Sequence, residues 1–427
     1  MKTKLVIFGI SGDLGRRKLL PAIEQIIKSG GFDDLSVIGV SRHEVDLETL
    51  FEKCEDKHFL DGKLSIYSMD PGEINGYAGL KEHVNLGDNE QLLIHMAVPP
   101  LVTTQIVEFL GQSGLNTPNV KILFEKPFGV DFESAEKLIK QTEIYFKEEQ
   151  VYRIDHYLAK EMAQNVVAFR GRNALFNDIW DNRFIESIEV LGLQKINIEG
   201  RGHFYEQTGA LRDFVQGHLM QLLSLVLMRV PDNFEWDKMP GLRLEAIRQI
   251  SHAEPGRAVR GQYDGYKQEV GNPDSKVETF VSVKLLSNQP EWLGVPITLT
   301  SGKAMSETKT EISVKIRSND GAKSNRLIFK VQPDEGIEIQ LYVKKPGYGQ
   351  EFEAQTLKFN YPDGSKLPDA YEQVIVDAIQ SQKSLFTSSD EVMQSWRILQ
   401  PLLDDWRASS ASPRLYLKGS DLSSLLA

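Results

Sequence analysis

The chain has 427 residues, enough for two domains and a large core. Its composition, 41% hydrophobic and 26% charged, is that of a soluble globular protein. A net charge of −11 argues against nucleic acid or an anionic membrane as the main partner, and Cys54, the single cysteine, rules out an internal disulfide or a cysteine-based zinc site.

The eight histidines are scattered with no His-x-x-x-His pair, so no metal site is expected. The opening run, Leu5 to Phe8, is too short for a signal-peptide core or a membrane span. No later stretch has 18 unbroken apolar residues, and a cytoplasmic protein is expected.

Leu5–Phe8 reads as a buried parallel strand. It runs into Gly9-Ile10-Ser11-Gly12-Asp13-Leu14-Gly15 and then a basic helical segment from Arg16. Strand, glycine-rich turn and helix is the arrangement that lets a backbone approach a pyrophosphate. The spacing is G-x-x-G-x-x-G rather than G-x-G-x-x-G, so position at the first strand–helix junction carries much of the weight; a plain tight turn is the competing reading. A second strand, Leu35–Val40, ends at Ser41-Arg42, with no acid before Glu44. An arginine there suits the 2′-phosphate of NADP, where an acid would bind the 2′-hydroxyl of NAD.

Further strands are predicted at Leu64–Tyr67, Leu92–Ala97 and Val120–Phe124, with helices at Thr103–Leu110 and Asp131–Phe146. This alternation predicts a doubly wound parallel sheet, a Rossmann-like α/β domain over residues 1–152. Two strand ends lead into proline, Val98-Pro99-Pro100 and Glu125-Lys126-Pro127. Ligands bind beyond such strand ends, which places Lys126 to reach a nicotinamide or a substrate; a salt-bridged lysine competes.

Arg153-Ile154-Asp155-His156-Tyr157-Leu158-Ala159-Lys160-Glu161 is densely functional. If helical, His156 and Lys160 share a face with about 5–6 Å between Cβ atoms, which suits a phosphate. A solvated face with ion pairs is the plainer alternative.

Residues 153–427 read as an α+β domain with a large, mostly antiparallel sheet. Strands are predicted at Ile185–Leu193, Thr279–Leu285, Ile297–Ser301, Glu311–Ile316, Arg326–Val331 and Ile337–Val343, and helices return at Asp369–Ser381 and Asp390–Trp406. The apolar helical segment from Gly209 to Met228 carries Asp213 and His218, which need partners if buried. Five residues on an ideal α-helix are about 140° apart, so pairing them requires a position near the first turn or a π-bulge. A satisfied core histidine is the competing reading.

Assembled in order, these residues resemble the glucose-6-phosphate 1-dehydrogenase family over nearly the whole chain. The resemblance rests on Gly9 to Leu14, Ala97-Val98-Pro99-Pro100, Glu125 to Gly129, Arg153 to Glu161, Glu199-Gly200-Arg201-Gly202 and Arg212-Asp213 with His218. It continues through Gly294-Val295-Pro296, Ser301-Gly302-Lys303, Lys330-Val331-Gln332-Pro333 and Leu367 to Glu372.

The resemblance implies an NADP-dependent oxidation of glucose 6-phosphate at C1. By position, Gly9, Ile10, Ser11, Gly12, Asp13, Leu14, Gly15 and Arg42 bind NADP, and Lys126 serves both cofactor and sugar. His156, Tyr157 and Lys160 hold the 6-phosphate and nearby sugar. Gln194, Asp213, Lys303 and Gln332 line the sugar site, with His218 the general base and Asp213 its orienting carboxylate. A homodimer or homotetramer through the second domain's sheet is also implied.

The chain departs from the family pattern at His95, Ala159, Gln194, Gly217 and Thr308, the last with Lys309 beside it. These departures bear on sugar specificity. The rival readings are the same chemistry on another sugar or sugar phosphate, and a non-catalytic binder of NADP or a sugar phosphate.

Overall fold

The computed structural model describes residues 2–318, 323–362, 364–365 and 367–426. They form two compact units. The first holds residues 1–129, 133–159 and 368–389, and the second holds 130–132, 160–367 and 390–427.

In the first unit, six strands lie parallel: β1 (Lys2–Phe8), β2 (Leu35–Ser41), β3 (Leu64–Ser68), β4 (Glu90–Met96), β5 (Val120–Phe124) and β6 (Val151–Ile154). Their order across the sheet is β6-β5-β4-β1-β2-β3, and the short strand Phe386–Thr387 adds antiparallel beside β6. The central strands are apolar on both faces because helices cover both. Leu5, Ile7, Val37, Leu93 and Leu123 pack with Ile23 and Ile26 of the helix Leu20–Lys28 and with Val374 and Ile375 of the helix Ala370–Ile379. A capping box starts that last helix: Asp369 Oδ1 accepts the Tyr371 N–H (3.0 Å) and Glu372 Oε1 accepts the Asp369 N–H (3.1 Å). The doubly wound expectation holds, and the predicted strands from Leu5 to Phe124 are present within a few residues.

Residues Arg153–Glu161 are not one helix. Arg153 and Ile154 finish β6, residues 156–159 turn, and the next helix, Glu161–Arg172, begins with Lys160 as an extended N-cap. The helical face shared by His156 and Lys160 therefore does not exist. The arginine that made the stretch look solvated is buried: Arg153 Nη1 donates to both Glu148 oxygens at 2.8 and 3.0 Å.

The second unit is built on eight strands: β7 (Ile185–Leu193), β8 (Ala258–Tyr263), β9 (Phe280–Leu285), β10 (Ile297–Gly302), β11 (Lys309–Ile316), β12 (Asn325–Gln332), β13 (Gly336–Lys344) and β14 (Phe352–Asn360). They run in the order β14-β13-β12-β11-β7-β10-β9-β8, with Arg414–Tyr416 beyond β8. Pairing is antiparallel except between β7 and β10 and between β8 and Arg414–Tyr416, so the mostly antiparallel sheet is as expected. β8, β14 and the Arg414–Tyr416 strand were not predicted.

One face of this sheet carries the helical segment with Asp213 and His218. Residues Leu211–Leu219 form a π-helix that continues as the α-helix Met220–Leu227. Phe214 of the π-helix packs on Gly192 of β7, where a Cβ would come within 2.2 Å of the ring.

Candidate active site

In the first unit, the glycine turn is shaped by close backbone approach. Gly9 has φ +80°, and a Cβ on it would lie 2.3 Å from the Ala97 carbonyl oxygen. A Cβ on Gly15 would lie 2.1 Å from the Ile10 carbonyl oxygen. The Gly9 N–H donates to the Val40 carbonyl (3.1 Å) and the Gly12 N–H to the Gly9 carbonyl (2.9 Å), which folds the turn over the ends of β1 and β2. Ile10 is buried beneath it, while Ser11, Gly12 and Asp13 are exposed and Leu14 is half-buried.

This cradle, which side chains at Gly9 and Gly15 would fill, suits a pyrophosphate at the following helical turn. Arg42 is exposed immediately past β2. Arg16, at the start of that turn, has a buried Nε with no hydrogen-bond partner among the described residues.

Lys126 is half-buried at the end of β5 and precedes a cis proline. Asp155 is buried and shapes the turn after β6, its Oδ1 accepting the Tyr157 N–H at 2.9 Å. The His156 ring stacks on Tyr371 (centroids 6.3 Å apart) and tilts against Tyr157 (5.0 Å). The Tyr371 hydroxyl donates to Glu125 Oε2 (3.3 Å), and burial with the neighbouring Glu125 carboxylate pushes that phenol well up. Glu125 Oε1 also lies 3.2 Å from His95 Nε2, although the angles do not make a hydrogen bond. Tyr371 stood in a quoted motif without a role; its contact with His156 joins residues 215 apart in sequence, which no local pattern reveals.

In the second unit, the π-helix decides the geometry. In a π-helix each turn closes between residues i and i+5. Residues five apart then fall on the same side, so Asp213 and His218 come to one side of the helix, which an α-helix would not allow. His218 is buried and meets the Phe214 ring edge-on at 5.2 Å. Lys303, just past β10, is 4% exposed, with its ammonium 5.8 Å from the Tyr205 ring centroid. Burial pushes that ammonium's pKa down, while the Asp213 carboxylate pulls it back up, which places Asp213 and Lys303 in one electrostatic neighbourhood.

Gln194 follows β7, and its N–H donates to the Gly302 carbonyl (2.9 Å), holding it beside Lys303. Thr308 Oγ1 accepts the Lys195 N–H at 2.9 Å, and Lys309 is paired with Glu307 (3.0 Å) and Glu311 (3.4 Å). Gln332 ends β12, where its Nε2 donates to Thr310 (3.3 Å) before a cis proline. Lys160 faces Glu335 at 4.0 Å, and the Glu335 carboxyl, pushed up by burial, also accepts the Met162 N–H (3.1 Å). Glu335 went unnoticed in the sequence, although it lies three residues past Gln332.

Among the described residues, no group of three or more His, Cys, Asp or Glu side chains is gathered as a metal site would need, and no helix is long and apolar enough to cross a membrane.

A dinucleotide-shaped turn in one unit, and a buried histidine with a carboxylate on the same side of its helix in the other, define an oxidoreductase class. Residues 6–165 match the glucose-6-phosphate dehydrogenase NAD binding domain, and residues 167–424 match the glucose-6-phosphate dehydrogenase C-terminal domain. The chain belongs to the glucose-6-phosphate dehydrogenase family.

A glucose-6-phosphate 1-dehydrogenase of Dickeya dadantii is 32% identical over 97% of this chain and 94% of its own. A solved glucose-6-phosphate dehydrogenase in complex with its substrate glucose-6-phosphate superposes with a TM-score of 0.91 at 29% identity, covering 98% of this chain and 95% of that one. The enzyme from Mycobacterium avium superposes with a TM-score of 0.87 at 30% identity, covering 98% and 94%.

Proposed function

We propose that the chain oxidises glucose 6-phosphate at C1 to 6-phosphogluconolactone with NADP, and that His218 is the general base. The observation that carries this reading is the π-helical register of Asp213 and His218. A neutral imidazole accepts the C1 hydroxyl proton as the C1–H bond breaks and C1–O becomes a carbonyl. Asp213 fixes the ring's tautomer and stabilises the imidazolium that forms. NADP held at the Gly9–Gly15 turn would supply the acceptor for the hydride that leaves C1.

Gly9 to Gly15 and Arg42 seat the dinucleotide's phosphates, and Lys126 orients cofactor and sugar. His156, Tyr157 and Lys160 take the sugar's phosphate end, while Gln194, Asp213, Lys303 and Gln332 take its hydroxyls. Mixing protein, NADP and glucose 6-phosphate and following the near-ultraviolet absorbance of reduced nicotinamide tests the reading; no absorbance gain sinks it.

A second reading, the same chemistry on another sugar phosphate, is favoured by one observation. Thr308 is committed to the Lys195 backbone, and Lys309 is committed to two acids. A panel of hexose phosphates in the same assay separates the two. The exposed Phe352, Leu357 and Phe359 on edge strand β14 support a homodimer or homotetramer, which sedimentation equilibrium would decide.

A further inference from the structure

A π-helix is rare and usually a single turn, so something must fix where this one begins. Its first residues carry backbone N–H groups with no helical partner. The N–H groups of the N-cap Ala210 and of the first helical residue, Leu211, are both taken by one residue outside the helix: the Glu278 carbonyl accepts the Ala210 N–H at 2.9 Å, and Glu278 Oε1 accepts the Leu211 N–H at 3.0 Å.

Glu278 is 3% exposed. Its approach depends on Gly209, whose φ of +62° breaks the preceding helix, and a Cβ there would lie 2.5 Å from the Glu278 carboxylate. A carboxylate at a helix start also complements the positive end of the helix. Burial pushes the carboxyl's pKa up, and the Arg212 guanidinium counters this.

The next residue reaches the other half of the site. The Thr279 carbonyl accepts the Lys303 N–H at 2.9 Å. The Tyr263 N–H donates to Thr279 Oγ1 (2.9 Å), Thr279 Oγ1 lies 2.9 Å from the Tyr416 hydroxyl, and that hydroxyl donates to the Lys303 carbonyl (2.7 Å). The dipeptide Glu278-Thr279, just before β9, is therefore bonded to the helix of Asp213 and His218 on one side and to Lys303 on the other.

We propose that Glu278 is a positioning residue: it sets the start of the π-helix, and so the register of Asp213 and His218, while Thr279 ties that helix to Lys303. The inference rests on His218 being the base. Moving the helix start by one residue, or letting the segment relax to α, swings Asp213 and His218 onto different sides.

The test uses Glu278→Gln, which keeps an acceptor oxygen, Glu278→Asp, which is one methylene short of the Leu211 N–H, and His218→Asn alone and combined with Glu278→Asp. Folded Glu278→Asp should lose about tenfold or more in kcat with KM for both substrates within about twofold, and Glu278→Gln should restore most of it. The loss should vanish when Glu278→Asp is added to His218→Asn, because the residue acts through the base. Wild-type kcat per folded molecule in Glu278→Asp, or losses that multiply in the double variant, would overturn the proposal. A near wild-type kcat in His218→Asn alone would instead overturn the base assignment.

Discussion

Asp213 and His218, five residues apart, stand on the same side of one π-helix rather than on an α-helix that would separate them. The helical irregularity thus brings to one side two residues whose spacing on an α-helix would not pair them.

If that pairing is catalytic, His218→Asn should lower kcat by about 10²–10⁴-fold with sugar binding nearly kept. Asp213→Asn should lose a comparable or smaller factor, and the double variant less than the product of the two. Steady-state kinetics across the neutral pH range, with a thermal melt to establish folding, provides the check; retention of more than roughly a tenth of kcat by His218→Asn contradicts the role.

Arg42 is exposed at the end of β2, where a nucleotide's ribose phosphate would lie. Arg42→Ala should weaken NADP by about 1–3 kcal/mol and NAD far less. Equal losses of affinity for the two cofactors, measured by titration, rule out a 2′-phosphate contact.

Lys160 stands at the start of the helix Glu161–Arg172 with Glu335 at 4.0 Å. Lys160→Ala should raise KM sharply for glucose 6-phosphate and little for free glucose. A uniform loss on both sugars moves Lys160 away from the phosphate.

A pH effect is expected far from the site. Lys121 is buried and Lys383 half-buried, with their ammonium groups 5.7 and 4.4 Å from the Tyr152 ring centroid. Desolvation pushes each down to about 8 from an ordinary 10.5, with Lys383 adding to the shift at Lys121. Below pH 8 both folded and unfolded chains hold these protons. Between about 8 and 10.5 the unfolded chain binds protons the folded chain has released, so these groups make stability rise with pH across that window. Melting temperature against pH should show Lys121→Met losing part of that rise; a Lys121→Met profile parallel to wild type contradicts it.

The parallel strands of the first unit were legible because each is a short apolar run closed by Gly, Pro or a polar turn. β6 was not, because Arg153 disguises a buried strand whose guanidinium is satisfied by Glu148. β14 escaped for the opposite reason: most of its residues are exposed, so the core imposes no pattern on it. At the site, the glycine turn and His218 could be picked out from residue type and order, whereas Lys303 came only with the family resemblance. The π-helix was named only as a requirement, since its register comes from Gly209 and from Glu278, which is 69 residues further on. No spacing rule links those two positions.

The segment 368–389 belongs to the first unit although it lies near the end of the chain. Lys121 donates to Gln91 (2.8 Å) and to the Ala378 carbonyl (2.6 Å), and Phe386–Thr387 supplies the last strand beside β6. On the ribosome, residues 1–159 therefore emerge with a sheet edge unpaired and with Leu20, Ile23 and Tyr152 uncovered, and they wait for more than 200 further residues before that surface closes. The nucleotide-binding half is therefore not expected to fold as a separable module. A fragment of residues 1–159 should show rapid amide exchange in β6 and bind apolar dyes, whereas slow exchange there would mean that the late segment is dispensable.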